Sequence, residues 1–133
     1  RVKRLEGITS IELANKASGI CQEALIKDGI PKDKAMAIAV AIEEMSLNTF
    51  EHGYKGSKRK QLIELTFVEK PKSVISLRFR DNAQPFNPLD YDVQGSDPYS
   101  NIGIRLVKGL VTEMKYSNTL DLNNLVADFD CSE

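Results

Sequence analysis

Apolar residues recur at helical spacing twice in the first half of the chain. Ile11, Ala14, Ala17, Cys21, Ala24 and Leu25 mark a first helix. Thr9-Ser-Ile-Glu12 has the spacing of a capping box, with Thr9 as N-cap and Glu12 at the third helical position. Gly29 and Pro31 end that helix and open the next. The second runs from Pro31 to Tyr54 and begins with small and aliphatic residues, which suit burial against a sheet. It then places Glu43, Glu44, Asn48, Glu51 and His52 where a purely structural helix would continue its apolar stripe. The period next changes to two. Ile63, Leu65 and Phe67 alternate with polar residues across Gln61–Val68, as do Ile75, Leu77 and Phe79 across Ser73–Arg80. The Lys70–Ser73 connection predicts an antiparallel hairpin. Asp81 follows Phe79 on the inward face, so its carboxylate is expected to be buried and to need a partner.

The stretch 82–100 is long, irregular and rich in Pro, Asp, Asn and Gly, a pattern of functional or disordered loops. Ile102–Met114 predicts a third helix, with Leu106, Val107, Leu110 and Val111 toward the core. Lys115–Asn118 and Leu125–Phe129 predict a terminal hairpin turning around Asp121–Asn124. Arg1–Leu5 fits a short edge strand. These elements predict an α+β two-layer sandwich, with about three helices on one face of a mixed, mostly antiparallel sheet.

Composition narrows the classes. The 133 residues fit a single domain spanning 1–133. The missing initiator Met fits a processed protein or a domain excised from a longer chain. With 41% hydrophobic and 28% charged residues, the chain can bury a core and stay soluble. A net charge of −1 without a basic block argues against a nucleic-acid partner. The longest apolar run, Ala35–Ile42, is far below the ~20 residues that span a bilayer, and Arg1–Ser10 lacks the apolar segment of a signal peptide. Cys21 and Cys131 form no metal-ligand or disulfide framework. A cytoplasmic protein with reduced thiols is expected.

Three constellations carry candidate chemistry. On the second helix, Glu44 and Asn48 lie one turn and about 40° apart, with Glu51 about 20° to the other side of Glu44 and Glu43 outside the line. A carboxylate and a carboxamide so aligned suit a general base beside a hard cation, or a merely solvated polar face. At the end of the second hairpin strand, Asp81 is placed to accept from an exocyclic amine such as that of adenine, or to bond its own backbone in an Asx turn. Ser100–Lys108 runs a loop into a helix N-terminus, an anion site or an ordinary capped junction. His52 is the single histidine, which leaves no His-based metal cluster or triad, and a structural hydrogen bond is its expected role.

The order and spacing of the three together resemble the ATP-binding domain of the GHKL superfamily, which includes histidine kinase catalytic domains and gyrase. Within it the chain is most similar to bacterial anti-sigma factor serine kinases. Glu44-Met-Ser-Leu-Asn48-Thr-Phe-Glu-His52-Gly-Tyr54 matches the family's N box, Asp81-Asn-Ala-Gln-Pro85-Phe86 its D-x-G-x-P-F box, and Asn101-Ile-Gly103 its G-x-G. The resemblance implies bound ATP and Mg²⁺, with Asn48 as metal ligand and Glu44 as general base. It implies that Asp81 accepts from the adenine amine, and that Ala83, Pro85, Phe86, Asn101, Ile102, Gly103 and Ile104 also contact the nucleotide. The stretch 82–100 would be the lid. The implied partners are a sigma factor and an antagonist with a sulfate-transporter/anti-sigma-antagonist (STAS) domain, and a homodimer is plausible by the same precedent.

Two residues depart from the family pattern. Ala83 replaces the middle glycine of the D-x-G box, at a cost of about 1–2 kcal/mol if that position needs φ > 0. Asn101 replaces the first glycine of G-x-G, a milder change because Asn enters left-handed backbone readily. They motivate a second reading, a nucleotide-gated binding module without phosphotransfer. A third is the catalytic domain of a larger sensor kinase or phosphatase.

Overall fold

The structure is a computed structural model that describes residues 2–53, 62–85 and 108–132. Strong alternation in Ile63–Lys70 (β2), Val74–Asp81 (β3) and Leu122–Asp130 (β5) gives each strand one buried face. With Val2–Ile8 (β1) and Glu113–Thr119 (β4) they form a five-stranded sheet in the order β1-β2-β3-β5-β4. Every neighbouring pair is antiparallel. β1 therefore lies at one edge, where the sequence places it, and is longer than predicted. A bulge between Leu5 and Ile8 is accommodated by Gly7 at φ +78°.

Two helices, Ile11–Lys27 (α1) and Lys32–Asn48 (α2), cover one face of the sheet. Among the described residues no helix covers the other face, which gives the two-layer α+β architecture. Leu25, Ile38 and Ile42 pack onto Leu65, Ile75 and Leu77 in a continuous core. Removing such side chains from water is the main stabilising term, at roughly 1.5–3 kcal/mol each. Alanines 14, 17, 35, 39 and 41 are buried as well, and their small side chains let the two helices approach each other and the sheet.

Several boundaries differ from expectation. The N-cap of α1 is Ser10, whose hydroxyl accepts from Leu13 N–H at 3.2 Å, rather than Thr9. Ile11 sits in the first turn and is 41% exposed, outside the core stripe. Helical geometry near residues 102–114 is described only at 108–110. Met114 belongs to β4, because its edge-strand pairing with Ala127 supplies backbone partners a helix end would not. The last turn is tighter than predicted: Leu120 and Asp121, at φ +55° and +60°, make a two-residue loop, and Leu122–Asn124 already belong to β5. Cys21 and Cys131 are buried thiols with no disulfide. Among the described residues no helix is long and apolar enough to cross a membrane.

Candidate functional site

The helix-facing side of the sheet is apolar through the rows of Leu77 and Phe79. Ile63, Asp81, Asn123 and Asn118 are successive cross-strand partners on β2, β3, β5 and β4. The row before it reads Leu65, Phe79, Leu125 and Tyr116. The core face thus ends in a carboxylate and two carboxamides. Over that end passes the last turn of α2, where Met45, Asn48 and Thr49 fall on one helical face. Between helix and sheet lies a cleft with about 430 Å³ of empty space, counting its open mouth. Its apolar wall is Phe79, Ala83 and Leu125, and its polar groups are Asn48, Asp81, Tyr116 and Asn123.

α2 changes winding at this point. Thr49–Gly53 forms a π-helical turn, and Thr49 Oγ1 donates back to the Met45 carbonyl at 3.0 Å while the Thr49 N–H meets the Met45 and Ser46 carbonyls. Back-bonding threonines loosen the regular ladder, and single π-turns concentrate at functional sites. Glu51 lies within this wider turn and is exposed. Glu44 stands half-buried one turn before Asn48 but is not part of the cleft wall. Glu43 faces elsewhere: its Oε1 accepts from the buried Ser18 hydroxyl at 2.7 Å and ties α1 to α2.

Asp81 adopts one of its two sequence alternatives, the Asx turn. Its Oδ1 accepts from Ala83 N–H at 3.0 Å, an Asx turn, and from Asn123 Nδ2 at 2.9 Å. Burial pushes the carboxyl above the ordinary carboxylate range, and the bonds from Asn123 and Ala83 pull the other way. A carboxylate held in an apolar-walled cleft is an acceptor that strongly favours a donor from a ligand.

Ala83 is buried, and its backbone is not in the left-handed region. The cost anticipated for a Cβ at a φ > 0 position is therefore not incurred. Pro85 is exposed beyond this turn. Phe86, Asn101, Ile102, Gly103 and Ile104, the lid from 86 to 100, and the His52 side chain lie outside the described residues.

Sequence reasoning missed Asn123 and Tyr116. The signal was present for Asn123, because the inward series Phe129, Ala127 and Leu125 reaches it two residues further back. Assigning 121–124 to a turn hid it. The Tyr116 hydroxyl donates to Asn123 Oδ1, a link that depends on a two-residue turn between their strands.

The same fold occurs in solved structures. The histidine kinase domain of the blue-light activated histidine kinase from Erythrobacter litoralis EL346 superposes with a TM-score of 0.59 at 14% identity, covering 89% of this chain and 61% of that one. A second structure of that blue-light activated kinase gives 0.62 at 16% identity, covering 90% of this chain and 42% of that one. The chain thus spans about three fifths and two fifths of the proteins it resembles. A comparison with curated proteins returns no match. The family model for the histidine kinase-like ATPase domain matches residues 10–127, and the chain belongs to that family.

Proposed function

We propose that this domain binds Mg·ATP in the α2–sheet cleft and transfers its terminal phosphoryl group to a serine of a STAS-type antagonist protein, acting as an anti-sigma factor that switches partners in the cytoplasm. The observation that carries the ATP reading is that Asn48, at the end of α2, and Asp81, at the end of β3, face one cleft with an apolar wall. These residues fit the ligand. Phe79, Ala83 and Leu125 suit the faces of a purine, and Asp81 accepts from its exocyclic amine.

Asn48 offers a carboxamide oxygen suited to Mg²⁺, which typically takes few protein ligands and keeps waters and phosphates. Among the described residues no cluster of His, Cys, Asp or Glu could hold a metal by itself, so the ion would arrive with the nucleotide. ATP supplies the transferable group when bound. Glu44, half-buried one turn from Asn48, is assigned the proton of the attacking hydroxyl.

Labelled ATP with a STAS-domain antagonist tests this. Transfer is expected, with a loss of about 10²–10⁴-fold in Glu44→Ala. Tight Mg·ATP binding without transfer to any serine substrate would instead make the domain a nucleotide-gated binding module, and no nucleotide binding would reject both.

A second reading has its own observation. Both structures above are of histidine kinases, and this chain spans only part of each. As the ATP-binding module of a larger sensor kinase, it would phosphorylate a histidine on an adjoining helical segment. The complete reading frame separates the two: a sensor segment or helical hairpin joined to this domain favours the kinase module. Sigma-factor pull-down and sedimentation test the proposed partner and homodimer.

A further inference from the structure

Asn123 makes more hydrogen bonds than its position on a strand requires. The residue is 5% exposed. Nδ2 donates to Asp81 Oδ1 at 2.9 Å, to the Gln84 carbonyl at 3.0 Å and, more weakly, to the Ala83 carbonyl at 3.3 Å. Oδ1 accepts from the Tyr116 hydroxyl and from Asn118 Nδ2 at 3.0 Å. The surroundings dictate which way the amide points. Three oxygens that cannot donate lie on one side, so a flipped amide would set its own oxygen against a carboxylate and two carbonyls.

The consequences fall on Asp81. Both hydrogen bonds that described residues give the carboxylate land on Oδ1. Among the described residues these bonds leave Oδ2 as the oxygen open to a ligand. The same amide binds the chain on both sides of the Asx turn, Asp81 before it and the Ala83 and Gln84 carbonyls after it. A rotation of the Asp81 carboxylate about its χ2 would break the Asn123 bond and the Ala83 bond together. Terminal carboxylate torsions are otherwise broad, with little intrinsic preference.

We propose that Asn123, oriented by Tyr116, is the positioning residue for base recognition: it occupies Asp81 Oδ1 and pins the 83–84 turn, so that Oδ2 meets a 6-amino purine in one fixed orientation. The inference rests on the ATP reading above and adds a specificity device to it. Asn123 need not touch the nucleotide, since its hydrogen-bonding capacity is already committed to protein groups. It makes the difference between a carboxylate that could accept from many directions and one that accepts from a single direction.

The test compares ATP with purine riboside triphosphate, which lacks only the 6-amino group, by calorimetric titration with Mg²⁺ at pH 7. Wild type is expected to prefer ATP. In Asn123→Leu, which is close in size and removes every donor, that preference falls about tenfold, the range for losing one charge-assisted hydrogen bond. Affinity for purine riboside triphosphate stays near wild type, a split that general unfolding would not produce. Tyr116→Phe removes one of the two donors that hold Asn123 Oδ1, Asn118 being the other, and lowers the preference about two- to fivefold; it also serves if Asn123→Leu does not fold. Asn123→Ser keeps one donor and regains part of the preference. An unchanged preference in folded Asn123→Leu, or in Tyr116→Phe if the former does not fold, overturns the inference and leaves the ATP reading intact. Failure of wild type to bind Mg·ATP overturns both.

Discussion

The two ends of the sheet's helix-facing surface use the same backbone pairing for opposite purposes. At one end, Ile75 on β3 faces Phe129 on β5, and both side chains are nearly inaccessible to water. Six residues along β3, Asp81 faces Asn123. The first pair needs only shape and volume, so many apolar residues could serve there. The second must satisfy a charge, an amide and three carbonyl or carboxylate oxygens at once, and few residues can. The sheet therefore has a permissive end that holds it together and an exacting end whose polar groups must all be matched.

Breaking the permissive end should have the largest effect on folding. Leu77 is fully buried in the row between them, and Leu77→Ala should cost about 2–5 kcal/mol in urea or guanidinium unfolding. Any loss of nucleotide affinity should follow the folded fraction.

Breaking the exacting end should do the reverse. Asp81→Asn is expected to weaken Mg·ATP binding by about 10- to 150-fold, the range for a hydrogen bond to a charged group. The carboxamide keeps the Ala83 bond and removes the desolvation cost of a charge, so stability at neutral pH should hold or rise.

The pH dependence sharpens the contrast. Asp81 has a folded pKa raised chiefly by burial, so in the window above the ordinary carboxylate range the folded state binds more protons than the unfolded. Its contribution to stability therefore declines as pH rises through that window. Acceptance from a ligand amine moves oppositely and is lost as pH falls through the same window. Opposite slopes in wild type, by thermal unfolding and by titration, with both flattened in Asp81→Asn, would mark Asp81 as their source. Glu64 and Arg80 lie beside Asp81 and pair with each other at 3.9 Å, so Glu64→Gln is the control.

The smallest effect concerns Ala83. Since its φ is not positive, restoring glycine relieves no strain. Ala83→Gly should lower stability by about 0.4–1 kcal/mol through the freer unfolded chain and leave Mg·ATP affinity unchanged. A gain in affinity would show that close approach to the base had been obstructed.

Both ends were legible in the sequence to different degrees. Alternation in β2 and β3 located the core face, and continuing it past Phe79 placed Asp81 inward in need of a partner. That argument could not name the partner. Asn123 lies 42 residues away, and the register that joins them depends on a turn whose residues carry no glycine. Leu120 and Asp121 adopt left-handed backbone where Asn-Gly is the usual signal, so the turn was read as longer than it is. The π-turn at Thr49–Gly53 was hidden for a similar reason: the Thr49 side-chain bond to the Met45 carbonyl accompanies it, and threonine mid-helix is not by itself a sign of one.

The tight turn at Leu120–Asp121 also governs what insertions and deletions can do here. One residue more or less between β4 and β5 would invite β5 to slide by one, and a slide by one exchanges the faces of a strand. Asn124 would then stand where Asn123 stands, so the amide alone would not oppose the shift. What opposes it is the series behind the pair, because Val126, Asp128 and Asp130 would take the inward places of Leu125, Ala127 and Phe129. A frame-preserving indel at a loop tip touching no ligand-facing residue can thus silence the site, and reversion would have to restore length rather than chemistry.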